Sequence, residues 1–364
     1  MPGNAIDTDR DERMVSLKYF KILLLFVPVS LLCRFFPVHP LLNFLFPALA
    51  IIPLSFFISE ATESLSLRIG PKSGGFLNAS FGNLTEIIIS IFALHSGLVE
   101  LVKASIIGSV LGNSLMVLGT AAFIGGMKYK TQRINRQAIE FSSTMFLFAA
   151  LALILPTLID IVKDSGHPDR FSEKISLFIA AAMLMVYVLG LIFSFFTHAD
   201  LFYTGKEKNI IERKWPLKQS LGILLVCTVL VAVESDFFVS AIEELSKMFR
   251  ISKFFIGIIL VPVVGNIAEY VSSILMSLKN KMDIAVEITL GSSLQTILFV
   301  MPVLVFISLF FVPMAIDFNI YELVALVISV LIASRVSEDG KLNWIEGVQL
   351  IVVFLVIAAC FYAV

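Results

Sequence analysis

Gly82-Asn83-Leu84-Thr85-Glu86 returns as Gly265-Asn266-Ile267-Ala268-Glu269, an offset of 183 residues. The same offset joins Gly108-Ser109-Val110-Leu111 to Gly291-Ser292-Ser293-Leu294, and it pairs Gly74 with Gly257 and Glu60 with Glu243. One spacing held without a gap from Glu60 to Leu111 marks an internal repeat, a feature of many transporter folds. Each copy also places a carboxylate inside a long apolar run.

Those runs decide the class. Of 364 residues, 58% are hydrophobic and 15% charged, more apolar surface than a water-soluble chain of this length can hide. Lipid can act as solvent for the outside of such a protein. Eleven runs are long enough to cross about 30 Å of hydrocarbon. They fall near 19–37, 41–67, 75–94, 99–125, 138–160, 174–196, 217–246, 254–278, 284–311, 316–334 and 343–363. All are expected to be helical, since an open strand in lipid leaves its backbone unpaired. The net charge of −1 and the lack of a basic block exclude nucleic acid as a partner. Cys33, Cys227 and Cys360 lie in apolar runs without pairing or metal spacing. The polar segment Met1–Arg13, followed by further apolar runs, is not expected to begin a cleaved signal peptide.

With the N-terminus inside, nineteen of the 27 Lys and Arg fall in cytoplasmic segments and six in outer ones. That bias predicts a cytoplasmic N-terminus and an outer C-terminus. The first Gly-Asn-x-x-Glu lies in the third run and the second in the eighth, so the copies cross in opposite directions. The expected fold is all-α and integral to the membrane, with about eleven transmembrane helices. One extra helix (1–40) precedes two inverted five-helix repeats, 41–196 and 217–364, joined by a cytoplasmic linker at 197–216. The absence of long extensions points to a prokaryotic cell membrane.

Glu86 and Glu269 sit midway along their spans, where an ionised carboxylate costs at least about 3 kcal/mol. Neither run carries a Lys or Arg to balance it, so protons or a bound cation must. Calcium takes six to eight oxygens in irregular geometry, whereas magnesium keeps its waters. Oxygen donors lie close in sequence: Asn83, Asn266, Thr85, Ser109, Asn113, Ser292, Ser293 and Gln295. Gly82 and Gly265 allow the backbone to unwind and free carbonyls as ligands. Burial and mutual repulsion favour the protonated acids, so protons compete with the metal and the two cannot occupy the site together. That exclusion, with alternating access, is exchange.

The chain resembles the calcium/proton exchanger (CAX) branch of the calcium/cation antiporter superfamily over nearly its whole length. The resemblance is carried by Ala61-Thr62-Glu63-Ser64-Leu65, Gly74-Gly75-Phe76-Leu77-Asn78-Ala79-Ser80-Phe81-Gly82-Asn83 and Ala104-Ser105-Ile106-Ile107-Gly108-Ser109. In the second half it rests on Val264-Gly265-Asn266-Ile267-Ala268-Glu269, Lys279-Asn280-Lys281-Met282-Asp283, Gly291-Ser292-Ser293-Leu294-Gln295 and Asn343-Trp344-Ile345-Glu346-Gly347. It implies calcium export against protons, with the Glu86 and Glu269 positions as metal ligands. Two departures stand out: Tyr270 follows Glu269 where the family often has His, and Lys206–Lys214 is mixed in charge where relatives often carry an acidic stretch.

The expected partners are therefore Ca2+, H+ and the bilayer, with no cofactor; a homo-oligomer is left open. A sodium/calcium exchanger of the same superfamily is the alternative, although it should carry further intramembrane acids. A channel needs no inverted halves. An enzyme lacks support, because no Ser/His or His/Asp set lies within the runs. Glu60, Glu63, Glu243, Glu244, Glu234, Asp236 and Glu287 are secondary ion-access candidates. Gly108-x-x-x-Gly112 and Gly70-x-x-x-Gly74 read as close-packing sites, and Lys103 as a snorkelling lysine.

Overall fold

The structure is a computed structural model that describes residues 20–36, 38–163, 170–198 and 215–363. Every one of the eleven apolar runs is helical. In chain order the helices are α1 (Phe20–Cys33), α2 (Pro40–Ile69), α3 (Pro71–Phe81), α4 (Leu84–His95) and α5 (Val99–Tyr129). Then follow α6 (Arg136–Lys163), α7 (Arg170–Ile192), α8 (Leu217–Phe249), α9 (Lys253–Gly265) and α10 (Ile267–Leu278). The last three are α11 (Met282–Ser308), α12 (Ile320–Val336) and α13 (Trp344–Ala363). Among the described residues, 7 helices are long and apolar enough to cross a membrane, or 8 when the bent pair α9 and α10 is one span.

Two of the apolar runs are not single helices. Run 254–278 bends by 60° between α9 and α10, and run 75–94 divides into α3 and α4. Both breaks fall at Gly-Asn. Asn83 (φ −97, ψ 24) and Asn266 (φ −103, ψ 16) have nearly the same non-helical backbone and begin α4 and α10. The expected unwinding at Gly82 and Gly265 falls instead on the asparagines: Gly82 keeps helical dihedrals (φ −55, ψ −45) and Gly265 ends α9, while asparagine favours the start of the next helix. Gly70 does not act in packing as expected. It has φ +97 with nothing within 4 Å of a built Cβ, and it turns the chain from α2 into α3.

The long helices α2 and α8 lie antiparallel. Phe44 and Phe238 meet in a tilted pair at 4.8 Å between ring centres, and near the other end the Arg68 guanidinium donates to the Trp215 carbonyl at 2.6 Å. α1 lies along this pair, with Phe20 stacked on Phe56 at 4.1 Å. Strands β1 (Thr131–Arg133) and β2 (Lys341–Asn343) pair antiparallel, Gln132 opposite Leu342. Gln132 is buried and donates to the Ser277 carbonyl at 2.8 Å, so this ribbon ties the loops at one end of the bundle to the end of α10.

Within α5 and α11 the helix widens to a π-helical turn, at Gly112–Val117 and Thr296–Val300. Such segments are frequent at functional sites, because one extra residue per turn re-aims the side chains around it. Asn113 and Thr296 sit in these two turns.

Candidate functional site

Both glutamates occupy the first turn of the helix after a break, three residues beyond the asparagine. That is the spacing of a capping box, yet neither asparagine caps its own helix. Each reaches across to the other half. Asn83 Nδ2 donates to Thr296 Oγ1 at 3.1 Å, and Asn266 Nδ2 donates to Ser109 Oγ at 3.0 Å. The backbone N–H groups at the starts of α4 and α10 are left without side-chain caps, and their positive end favours a negative charge nearby.

Glu86 is buried and held from two sides: Ser109 Oγ donates to Oε1 at 2.6 Å and Thr296 Oγ1 to Oε2 at 3.3 Å. It also lies against the opposite break, since a Cβ on Gly265 would come within 3.1 Å of its Cγ. Ser292 Oγ donates to Asn83 Oδ1 at 3.4 Å, and Asn113 Nδ2 to Ser292 Oγ at 3.2 Å. Gly82 lies beside Gln295, whose Oε1 would be 3.5 Å from a Cβ there. Asn83, Asn113, Asn266, Ser109, Ser292 and Thr296 are all buried.

Three buried oxygens in this cluster have no hydrogen-bond partner: Asn113 Oδ1, Asn266 Oδ1 and Glu269 Oε2. All three accept and none donates. An unmet buried polar atom costs about 1–3 kcal/mol, so the centre stores a demand that a cation or protons would meet. Chemically the cluster offers carboxylate, amide and hydroxyl oxygens from both halves, the ligand set that suits a hard cation.

Thr296 is missing from the sequence reading. It stands 183 residues after Asn113, so extending the repeat by a few residues would have found it. Glu234 sits elsewhere: fully buried on α8, it accepts from Ser30 of α1 at 2.6 Å and belongs to the seam with that helix. Lys103 does not snorkel. It is buried, and its ammonium meets Asp317 at 2.7 Å and Glu100 at 3.3 Å, because acids from α5 and the α11–α12 loop converge on it. Gly108 does pack closely, against the backbone of Ile258, and a Cβ on Gly112 would be 2.8 Å from the Tyr270 hydroxyl.

Two broken helices, each starting again at an asparagine with a carboxylate in its first turn, are the architecture of a secondary-transporter ion site. The sequence profile described as "Sodium/calcium exchanger protein" matches residues 39–196 and 219–363, and the chain belongs to that family. It is 40% identical to a protein named "Ca(2+)/H(+) antiporter" from Aphanothece halophytica over 355 residues, 93% of this chain and 95% of that one. It is 41% identical to "Ca(2+)/H(+) antiporter ChaA" of Bacillus subtilis (strain 168), over 86% of this chain and 89% of that one. Among solved structures, native YfkE matches with a TM-score of 0.80 and 38% identity, covering 95% of this chain and 100% of the other.

Proposed function

We propose that this protein is a secondary antiporter that moves Ca2+ out of the cell in exchange for H+. Glu86 and Glu269 bind either the metal or protons. The observation that carries this reading is the set of partnerless acceptor oxygens, Asn113 Oδ1, Asn266 Oδ1 and Glu269 Oε2, gathered around Glu86. The relatives named Ca(2+)/H(+) antiporter support the same choice of ions.

Eleven spans, with the N-terminus cytoplasmic and the C-terminus outside, fit the helices. α3 with α4 and α9 with α10 each count as one broken crossing, and α1 precedes two inverted five-span halves. The matching backbone of Asn83 and Asn266 and the reciprocal reach of each into the other half support that inversion.

The two cargoes use the site differently. With calcium bound, Glu86 and Glu269 are ionised, and Asn83, Asn113, Asn266, Ser109, Ser292 and Thr296 turn oxygens toward the metal. Gly82 and Gly265, the residues just before the two breaks, and Gln295 lie at its edges. With protons bound, the carboxyls are neutral, and a protonated acid donates to an otherwise unmet amide oxygen. Neither state leaves an isolated charge at the bilayer centre, where it would cost at least about 3 kcal/mol. An empty, fully ionised site does, so reorientation without cargo is disfavoured.

The test is calcium uptake into proteoliposomes under an imposed proton gradient, repeated under a sodium gradient. Uptake driven by protons alone is expected. Uptake that needs sodium would move the protein to sodium/calcium exchange, and flux that follows the calcium gradient while ignoring both would make it a channel.

A further inference from the structure

The two halves of the molecule are in different states. On α5, Gly108 lies so close to the Ile258 backbone of α9 that a Cβ would overlap it. Two turns nearer the start of α5, Gly257 covers the helix: its Cβ would be 2.9 Å from the Leu101 carbonyl oxygen and 3.0 Å from Ala104 Cβ. Moved by the repeat offset of 183, these contacts would join Gly75 of α3 to Gly291 of α11, and Gly74 to Ile284 and Glu287.

None of these contacts is visible at the glycines. Among the described residues, nothing lies within 4 Å of a Cβ on Gly291, and Glu287 is exposed. Instead α3 leans away from α11. Gly74 lies against the Ser66 carbonyl, Ser66 Oγ donates to the Gly74 carbonyl at 2.8 Å, and Gly75 lies against the Phe195 ring. A face of α11 running through Asp283, Glu287, Gly291 and Gln295, at intervals of four, is therefore uncovered from its first turn up to the Gly82 break. Its counterpart on α5 is shut at Ala104, Gly108 and Gly112, while Glu100 at its first turn is exposed.

At one point the two faces differ in a way that matters. Ala104 is fully buried beneath Gly257, and its counterpart is a carboxylate. Closing α3 over α11 as α9 closes over α5 would press helix backbone onto Glu287 and strip its water. A buried unpaired carboxylate is costly, and the neutral acid is not. Among the described residues, no cation is paired with it. Asp283 is one turn away and adds like charge. Arg136 and Glu140 of α6 bind each other at 2.9 Å, and the Lys128 ammonium of α5 donates to the Leu278 carbonyl at 3.0 Å. Lys103 is held by Asp317, and Lys279 and Lys281 lie in and beside the α10–α11 turn, with partners of their own. The remaining acid facing α11, Glu269 of α10, belongs to the ion site.

We propose that Glu287 is the proton-binding residue of the cytoplasmic gate, and that α3 closes over α11 only when Glu287 carries a proton. The proposal rests on the alternating-access reading above. It adds a proton-binding step outside the central site and makes closure of the inner mouth sensitive to cytoplasmic pH in its own right.

The reporter is Ile284→Cys, in protein whose three native cysteines are replaced by serine. Ile284 is half-buried now, and its counterpart Leu101 is 2% exposed under α9, so closure should protect it. Glu86→Gln with Glu269→Gln removes titration from the central site. In that background, labelling by a membrane-impermeant maleimide, corrected for the reagent's own pH dependence, is expected to be at least about threefold slower at pH 6 than at pH 8. Adding Glu287→Gln should bring the ratio to one, and Asp283→Asn should not. An unchanged ratio on adding Glu287→Gln, or no pH effect in either, overturns the proposal. A second measurement uses the native central site at saturating calcium, where the loaded site can reorient: at pH 8, Glu287→Gln alone should slow labelling by at least about threefold, and equal rates would refute it. Failure of the native protein to move calcium against protons would instead sink the functional reading and leave these labelling results standing.

Discussion

Adding one methyl group to either of two equivalent glycines should drive the protein in opposite directions. In Gly108→Ala the new Cβ would overlap the Ile258 carbonyl oxygen and lie 2.6 Å from its carbon and 2.8 Å from its Cα. Those atoms belong to helix backbone and cannot rotate away, so α9 must lift off α5. Overpacking of this kind costs about 1–3 kcal/mol, and at the upper end about 3 kcal/mol shifts a two-state equilibrium more than a hundredfold. In Gly291→Ala the same methyl group enters open space, since nothing lies within 4 Å. The present arrangement then only gains, by about 0.5–1 kcal/mol, from replacing glycine inside a helix. The penalty falls on the opposite state, in which α3 would have to cover α11.

Gly291→Ala is thus expected to raise the midpoint of thermal unfolding in detergent while abolishing most transport, and Gly108→Ala to lower both. Impermeant maleimide should label Ile284→Cys no more slowly in Gly291→Ala than in the parent, even at saturating calcium. Leu101→Cys should be labelled faster in Gly108→Ala than in the parent. The reasoning fails if Gly291→Ala transports normally, or if the two glycine variants change unfolding midpoint and labelling in the same direction.

Other substitutions probe the centre and the seams. Glu86→Gln and Glu269→Gln should each abolish proton-driven calcium uptake while the protein still inserts and purifies as a folded species; substantial uptake by either removes that residue from the mechanism. Thr296→Val deletes a donor to Glu86 and an acceptor for Asn83, so the calcium concentration for half-maximal uptake should rise at least about tenfold, with Thr296→Ser near the parent. Ser30→Ala removes the hydroxyl that donates to the fully buried Glu234 carboxyl and should cost about 1–3 kcal/mol in thermal unfolding, with calcium affinity unchanged. Lys103→Met should destabilise by about 1–2 kcal/mol rather than be neutral, because the ammonium is buried although Asp317 is partly in water.

Hydropathy placed helices well because lipid leaves few choices: a long apolar run must satisfy its own backbone. It could not place the breaks. α9 and α10 form a continuous apolar pattern, and only the Gly-Asn pair marks where the axis turns. The repeat identified Glu86, Glu269, Asn83, Asn266, Ser109 and Ser292, since both copies keep the same residue type. Thr296 escaped because its counterpart is Asn113, a different side chain, and because it opens an apolar stretch. Lys103 was misjudged for another reason. Its partner Asp317 is 214 residues away, so the sequence around Lys103 shows only the Glu100 half of the cluster that holds it.

The pattern of agreement between the halves carries a mechanical consequence. Around the centre the repeat keeps its chemistry: Asn83 with Asn266, Glu86 with Glu269, Ser109 with Ser292. An ion bound there must be offered the same ligands whichever side the site faces. Away from the centre the copies diverge: Ala104 against Glu287, Gly112 against Gln295, Lys103 against Val286, Ile87 against Tyr270, Ile51 against Glu234. If the halves were identical, exchanging their conformations would leave the protein's energy unchanged, and neither facing state would be preferred apart from effects of α1 and the bilayer. Any intrinsic preference therefore arises where the repeat is broken. Here α9 covers α5 while α3 leaves α11 open, and at that uncovered face Glu287 is exposed where its counterpart Ala104 is fully buried. A carboxylate at that position holds the inner mouth open until it is neutralised, whereas alanine at the equivalent outer position lets the gate rest shut.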